Sequence, residues 1–167
     1  MSTLERAIAL SATAHAGQTD KAGAPYVLHP IRMMLTLHTA AERITAMLHD
    51  VVEDCEGWSF QRLRDEGFSE EIVEALESVT KREGESYEDF VRRAAANPIG
   101  IRVKLADLQD NCDLSRIAVP TERDHERIGK YRRAIALIAA ISSASDAQPG
   151  VQPNAPPGGF ASPRVAG

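Results

Sequence analysis

The sequence predicts an all-α fold, and three observations carry that reading. Apolar residues recur at helical spacing almost throughout. No stretch alternates with period two over a useful length, so no sheet is expected. Capping residues, prolines and glycines stand where the periodic segments would start and stop. Along the chain, "TLERAIALSATAH" places Leu4, Ile8 and Ala12 on one face, with Thr3 as its cap. "GQTDKAGAPYVLHP" is a loop punctuated by Gly17, Gly23, Pro25 and Pro30. "PIRMMLTLHT" restarts a helix with proline in its first turn. "ERITAMLHDVVEDCEG" reads as one continuous helix stopped near Gly57. "SFQRLRDEG" and "SEEIVEALESVTK" each open on a serine, a preferred cap. "SYEDFVRRAAAN", "PIGIRVKLADLQDNCDLSRI" and "PTERDHERIGKYRRAIALIAAI" complete the folded part.

The chain has 167 residues, 43% of them hydrophobic and 26% charged, an ordinary balance for one globular domain. A formal net charge of −5 argues against non-specific binding to nucleic acid or anionic membrane, so an anionic ligand needs a local basic cluster. No apolar run approaches the ~18 residues of a membrane span. Glu5 and Arg6 stand where a secretory signal would begin its apolar core, and two cysteines, Cys55 and Cys112, give no disulfide framework; a cytoplasmic protein is expected. From Ser142 onward the composition shifts, with five of the nine prolines and four of the eleven glycines in residues 142–167. Residues 1–141 are therefore read as the domain and 142–167 as a disordered tail.

"LHDVVEDC", Leu48 to Cys55, carries the chemistry. With His49 at zero on a helical wheel, Glu53 falls near ~40°, Asp50 near ~100° and Asp54 near ~140°. Ala46 lies inside that arc, while Ile44, Met47, Leu48, Val51 and Val52 fill the opposite side. Three carboxylates near a helix C-terminus oppose the macrodipole, a local rule broken, and a small alanine among them leaves room for an approaching group. A solvated acidic face is the bland reading. A cation removes the repulsion, and a His-Asp pair offers it one nitrogen and one oxygen. Further ligands must come from other elements. His29 stands at a loop-to-helix junction, and Asp107 sits amid Val103, Leu105, Ala106 and Leu108, where it needs a metal or a charged partner such as Lys104 or Arg102. His15 and His38 read as structural, His125 as solvent-facing, and Cys55 and Cys112 as packing residues.

Taken in order, "AHAGQTDKAGAPYVLHP", "AMLHDVVEDC", "ALESVTKREG" and "VKLADLQDN" resemble the HD-domain hydrolases of the RelA/SpoT family, especially the small single-domain alarmone hydrolases. The resemblance runs over roughly residues 4 to 140 and implies an HD-domain helical bundle. It implies one divalent metal, usually manganese, on His29, His49, Asp50 and Asp107. It assigns Glu53 and Asp54 to activating the attacking water, and Asn111 to lining the nucleotide site. The implied activity is removal of the 3′-pyrophosphate from ppGpp or pppGpp. The alternatives are the same chemistry on an adenine alarmone or NADPH, and a metal- or nucleotide-binding module with little turnover. The implied partner is a small phosphorylated nucleotide, with neither nucleic acid nor membrane; homo-oligomerisation is left open.

Lys21 in the glycine loop and Lys81 at a helix end are the basic residues expected to hold the substrate, while Arg127 and Lys130 read as ordinary surface charge and Arg32 as a snorkelling side chain. The chain departs from the family at Asp20, where an arginine is common, and also at Leu108 and Leu114. Base recognition is where those departures act. At Asp20 the expectation is a pair with Lys21, and a gain in guanosine binding on Asp20→Arg.

Overall fold

The computed structural model describes residues 2–146, and all its regular elements are helices: α1 Leu4–Ala14, α2 Leu28–Thr36, α3 Ala40–Leu48, α4 Val51–Asp54, α5 Phe60–Asp65, α6 Glu70–Val79, α7 Tyr87–Ala96, α8 Gly100–Asn111 and α9 Glu122–Asp146, with a 3-10 turn at Leu114–Arg116. Among the described residues extended pairing is limited to one isolated bridge between Thr19 and Pro25, so the all-α expectation stands. Thr3, Ser59 and Ser86 cap α1, α5 and α7 by accepting from Arg6, Arg62 and Asp89 N–H, and Thr39 and Glu42 form a capping box on α3. Ser69 precedes α6 without a side-chain cap bond.

Two boundaries differ from the sequence reading. The helix expected through Gly57 breaks at His49–Asp50, leaving α4 as a single turn. The His49 Nδ1–H donates to the Ala46 carbonyl at 2.8 Å, taking the acceptor that an uninterrupted helix would offer to the Asp50 N–H. At the other end α9 runs on to Asp146, past the expected domain limit at residue 141. Within that extension the Ser142 and Ser143 hydroxyls donate to the Ile138 and Ala139 carbonyls. The remainder of the expected tail lies outside the described residues.

α3 is the centre of the bundle. One core cluster gathers Ile44, Met47 and Leu48 of α3 with Leu10 of α1, Leu63 of α5 and Leu76 of α6. A second joins Ala46 to Met33 of α2, Ala75 of α6, Ala94 of α7 and Val103 of α8. A third, Val91, Leu108, Ala134 and Ile138, seats α9 on α7 and α8. Ala46 therefore marks no open approach: the room it leaves is filled by neighbouring helices. Truncating Met47 or Leu48, both fully buried, to alanine costs about 2–5 kcal/mol. Gly100 permits the closest of these approaches, since a Cβ there would overlap the Ser78 hydroxyl of α6. Arg93 of α7 donates to the Glu77 and Thr80 carbonyls at 2.6 and 2.9 Å while pairing with Glu85, which ties down the segment bearing Lys81.

Candidate metal centre and substrate cleft

Three elements meet over α3. The loop between α1 and α2 turns at Asp20–Gly23, where Gly23 adopts φ +81° and its N–H reaches the Asp20 carbonyl at 2.9 Å; glycine takes that conformation without strain. The loop delivers Tyr26, and α2 then presents His29. The break after α3 turns His49 inward, 4% exposed, and leaves Asp50 on the rim. The Tyr26 hydroxyl donates to Asp50 Oδ2.

His29, His49 and Asp50 each bring a ligand atom to within 4.8 Å of the others. The donor chemistry fits a divalent cation. With its Nδ1–H spent on the Ala46 carbonyl, His49 turns its other nitrogen, Nε2, toward Asp50 Oδ2 at 2.9 Å, out of line for a hydrogen bond. That nitrogen is buried and has no hydrogen-bond partner, an arrangement a cation would complete. Two imidazoles and a carboxylate suit a borderline or oxygen-preferring metal rather than a thiolate zinc site.

Asp107 of α8 stands against this cluster, its Oδ1 3.4 Å from His29 Nε2. Its Oδ2 takes the buried Lys104 ammonium at 2.8 Å, the bland partner that the sequence also offered, and Oδ1 accepts from Asn111 at 2.5 Å. Burial opposes ionisation of Asp107, yet Lys104 and His29 hold its carboxyl well below the usual range. Burial likewise works against the charged form of His29, but hydrogen bonds to Asp107 and Asp110 outweigh it and raise the pKa to about 9. A divalent cation bound there would have to displace a proton.

Asp50 lines two cavities, one on each side of the cluster. The first, about 220 Å³, is walled by Lys21, Tyr26, His29, Asn111, Arg116 and Arg127. The second, about 190 Å³, is walled by His49, Glu53, Lys81, Lys104, Asp107 and Lys130, together with Tyr87. Glu53 reaches toward the Lys81 N–H at 3.4 Å, and its carboxyl is raised above the usual glutamate range, mainly by burial, with Asp50 and Asp54 repelling its charge. Asp54 lines neither cavity. Its carboxyl is also raised, by burial first and Asp50 second.

The structure thus gathers His29, His49 and Asp50, sets Asp107 beside them, and divides the other expected residues between the cavities: Lys21 and Asn111 in the first, Glu53 and Lys81 in the second. Arg127 and Lys130, expected as surface charge, face these cavities, though Arg127 also pairs with Asp124 at 2.7 Å. Asp20 does not pair with Lys21. Its Oδ1 accepts from the Ala22 and Ala24 N–H groups, and its Oδ2 meets Arg116 at 3.2 Å. Arg32 is no snorkelling side chain either: it grips Asp110 through Nε and Nη2 at 2.7 and 2.9 Å. Asp110, Tyr26, Lys104 as a cavity wall and Arg116 were missed. An aspartate three residues after Asp107, on the same helical stripe, was the signal for Asp110.

A family model described as HD domain matches residues 7–100, more than half of the chain. The chain belongs to the HD-domain family. The HD-domain match includes His29, His49 and Asp50 and ends before Asp107 and α9. Among curated relatives, a probable GTP pyrophosphokinase of Mycobacterium leprae is 28% identical over 85% of this chain and 19% of its own length. A guanosine-3′,5′-bis(diphosphate) 3′-pyrophosphohydrolase of Aquifex aeolicus is 29% identical over 76% of this chain and 19% of its own. The chain therefore spans about a fifth of the length of the curated relatives it matches. A solved structure described as a metazoan ortholog of SpoT that hydrolyzes ppGpp superposes with a TM-score of 0.65 at 21% identity, covering 83% of this chain and 85% of that one, a likeness of fold. Among the described residues no helix is long and apolar enough to cross a membrane.

Proposed function

We propose that this HD-domain protein is a metal-dependent hydrolase that removes the 3′-pyrophosphate from a guanosine alarmone such as ppGpp, with manganese as the ion. The observation that carries the reading is the position of the His29, His49 and Asp50 cluster, at the junction of two cavities rich in basic side chains, with Glu53 in one of them. The names of the relatives agree with that substrate class. Asp107 is the fourth ligand, its carboxylate already beside His29.

A divalent ion at this centre supplies positive charge to a phosphoryl oxygen and acidifies water. The residues of the chain do the rest. Glu53 accepts the proton of the attacking water, and its raised pKa brings it closer to the working pH of a general base. Asp54, outside both cavities, contributes by repelling charge from Glu53 rather than by touching water. Lys81, Lys104 and Lys130 hold the pyrophosphate in the second cavity, and the buried Tyr87 hydroxyl, which has no hydrogen-bond partner, offers it a further donor. Lys21 and Asn111 line the nucleoside side.

One observation keeps a second substrate reading in view. Asp20 and its partner Arg116 build the nucleoside wall at the position where the family resemblance implies an arginine, so the base is read by different chemistry and an adenine alarmone or NADPH is the alternative substrate. Turnover on a panel of ppGpp, its adenine counterpart and NADPH, with manganese added and then chelated, separates the readings. Manganese-dependent release of pyrophosphate from ppGpp is the expected result. Metal binding without turnover on any of the three would favour a sensing module.

A further inference from the structure

Asp110 is a side chain that neither the proposed chemistry nor the core requires. It sits one turn after Asp107 on α8, with its side chain 12% exposed. His29 Nδ1 lies 2.7 Å from its Oδ2. Arg32 of α2 approaches both of its oxygens, at 2.7 and 2.9 Å, and Arg116 reaches Oδ2 at 3.2 Å and the Asp110 backbone carbonyl at 2.7 Å. Two guanidinium groups therefore fix the plane of this carboxylate, and every one of these partners is a donor. A carboxylate held in this way can only accept, so it selects which face of an imidazole it meets.

The His29 ring is bracketed by two carboxylates, Asp110 at Nδ1 and Asp107 at Nε2, but the distances are unequal, 2.7 against 3.4 Å. A neutral imidazole has one proton to give. The shorter, aligned contact retains it on Nδ1, and the Nε2 lone pair is left for a cation shared with His49 and Asp50, the three residues' ligand atoms lying within 4.8 Å of one another. We propose that Asp110 is the positioning residue of the metal centre: it holds His29 in the Nδ1–H tautomer and fixes the ring plane, while Arg32 and Arg116 hold Asp110. Carboxylate partners of metal-bound histidines commonly contribute about 10–100-fold to metal affinity. The inference rests on the metal reading given above, and it assigns no contact with substrate to Asp110.

The test compares Asp110→Leu, Asp110→Asn and Arg32→Leu in the full chain, with manganese affinity measured by calorimetry and unfolding measured without metal. Asp110→Leu removes the acceptor and is expected to weaken manganese binding by about 10–100-fold. Asp110→Asn can keep its oxygen toward His29, so its loss should stay below about tenfold and rescue the apolar variant. Arg32→Leu breaks one ion pair without touching His29 and leaves Arg116 on Asp110; it should lower stability and weaken manganese binding by clearly less than the roughly 10–100-fold of the apolar variant. An Arg32→Leu variant that lost metal as severely as Asp110→Leu would reduce Asp110 to a strut between α2 and α8. Nuclear magnetic resonance of the parent loaded with zinc, a diamagnetic stand-in, decides the matter even if Asp110→Leu does not fold. A slowly exchanging proton on His29 Nδ1 is expected, retained in Asp110→Asn; its absence in the metal-loaded parent overturns the proposal. A parent that binds no divalent metal at all would instead sink the metal reading itself.

Discussion

The two cavities that meet at Asp50 are similar in size and opposite in electrostatic design. On the α1–α2 loop side the guanidinium groups are already committed: Arg116 to Asp20 and Asp110, Arg127 to Asp124. On the α6–α7 side three lysines crowd together, and only Lys104 has a carboxylate partner among the described residues. Lys130 lies 3.7 Å over the Tyr87 ring, and its pKa is lowered, by burial first and then by repulsion from Lys81 and Lys104. A wall whose guanidinium groups are paired is stiff, and an incoming anion gains from it mainly through Lys21, because each arginine must first give up a carboxylate. A wall of mutually repelling lysines gains on meeting any anion. The difference teaches which end of a nucleotide each cavity suits: the paired wall reads shape, and the lysine wall holds charge.

The most severe way to break the charge-holding side is to remove its base. Glu53→Gln should retain metal and lose turnover by about 10²–10⁴-fold, measured by single-turnover kinetics beside metal content. Glu53 must be ionised to accept a proton, so the parent's rate should fall as pH drops through its raised pKa, at higher pH than an ordinary glutamate would give. The glutamine variant should lack that limb.

Asp20→Arg tests the paired wall. The sequence alone suggests a gain in guanosine binding, but the structure reverses the sign: the change removes the acceptor of two loop N–H groups and sets two guanidinium groups face to face. A loss of about 1–3 kcal/mol in denaturant unfolding is expected, together with weaker substrate binding.

Lys81→Ala and Lys130→Ala should each lower kcat/KM by about tenfold, the worth of one charged hydrogen bond, with a steep dependence on salt. Arg127→Ala, on the opposite wall, is the smallest effect, below about threefold, because its charge is already neutralised by Asp124. Equal losses for Lys81 and Arg127 would erase the distinction between the walls.

How far the sequence reaches differs sharply along the chain. Helices announced by caps, such as those after Thr3, Ser59 and Ser86, are legible because capping is a contact between residues three apart. The His49–Asp50 break was not, because the bond that causes it runs from a ring nitrogen to a carbonyl, and both breaker residues are tolerable in a helix. Within the site, the residues with unusual chemistry stood out, and the structure brings His29, His49 and Asp50 together across separate helices. The partners that orient them did not stand out. Asp110 meets His29 across 81 positions of sequence, and Arg116 meets Asp20 across 96, so no local pattern encodes either pair. Ordinary charged residues acquire such roles only through packing.

That Asp50 borders both cavities has a kinetic consequence. A substrate cleaved over this carboxylate leaves one fragment on each side, and neither has to pass the other to reach solvent. The site then has two doors. Order of departure is set by the grip of each wall rather than by a queue, and the fragment among the lysines is the slower to go. Added pyrophosphate and added nucleotide product should therefore each bind the free enzyme in the absence of the other, which ordered exit through a single mouth would forbid.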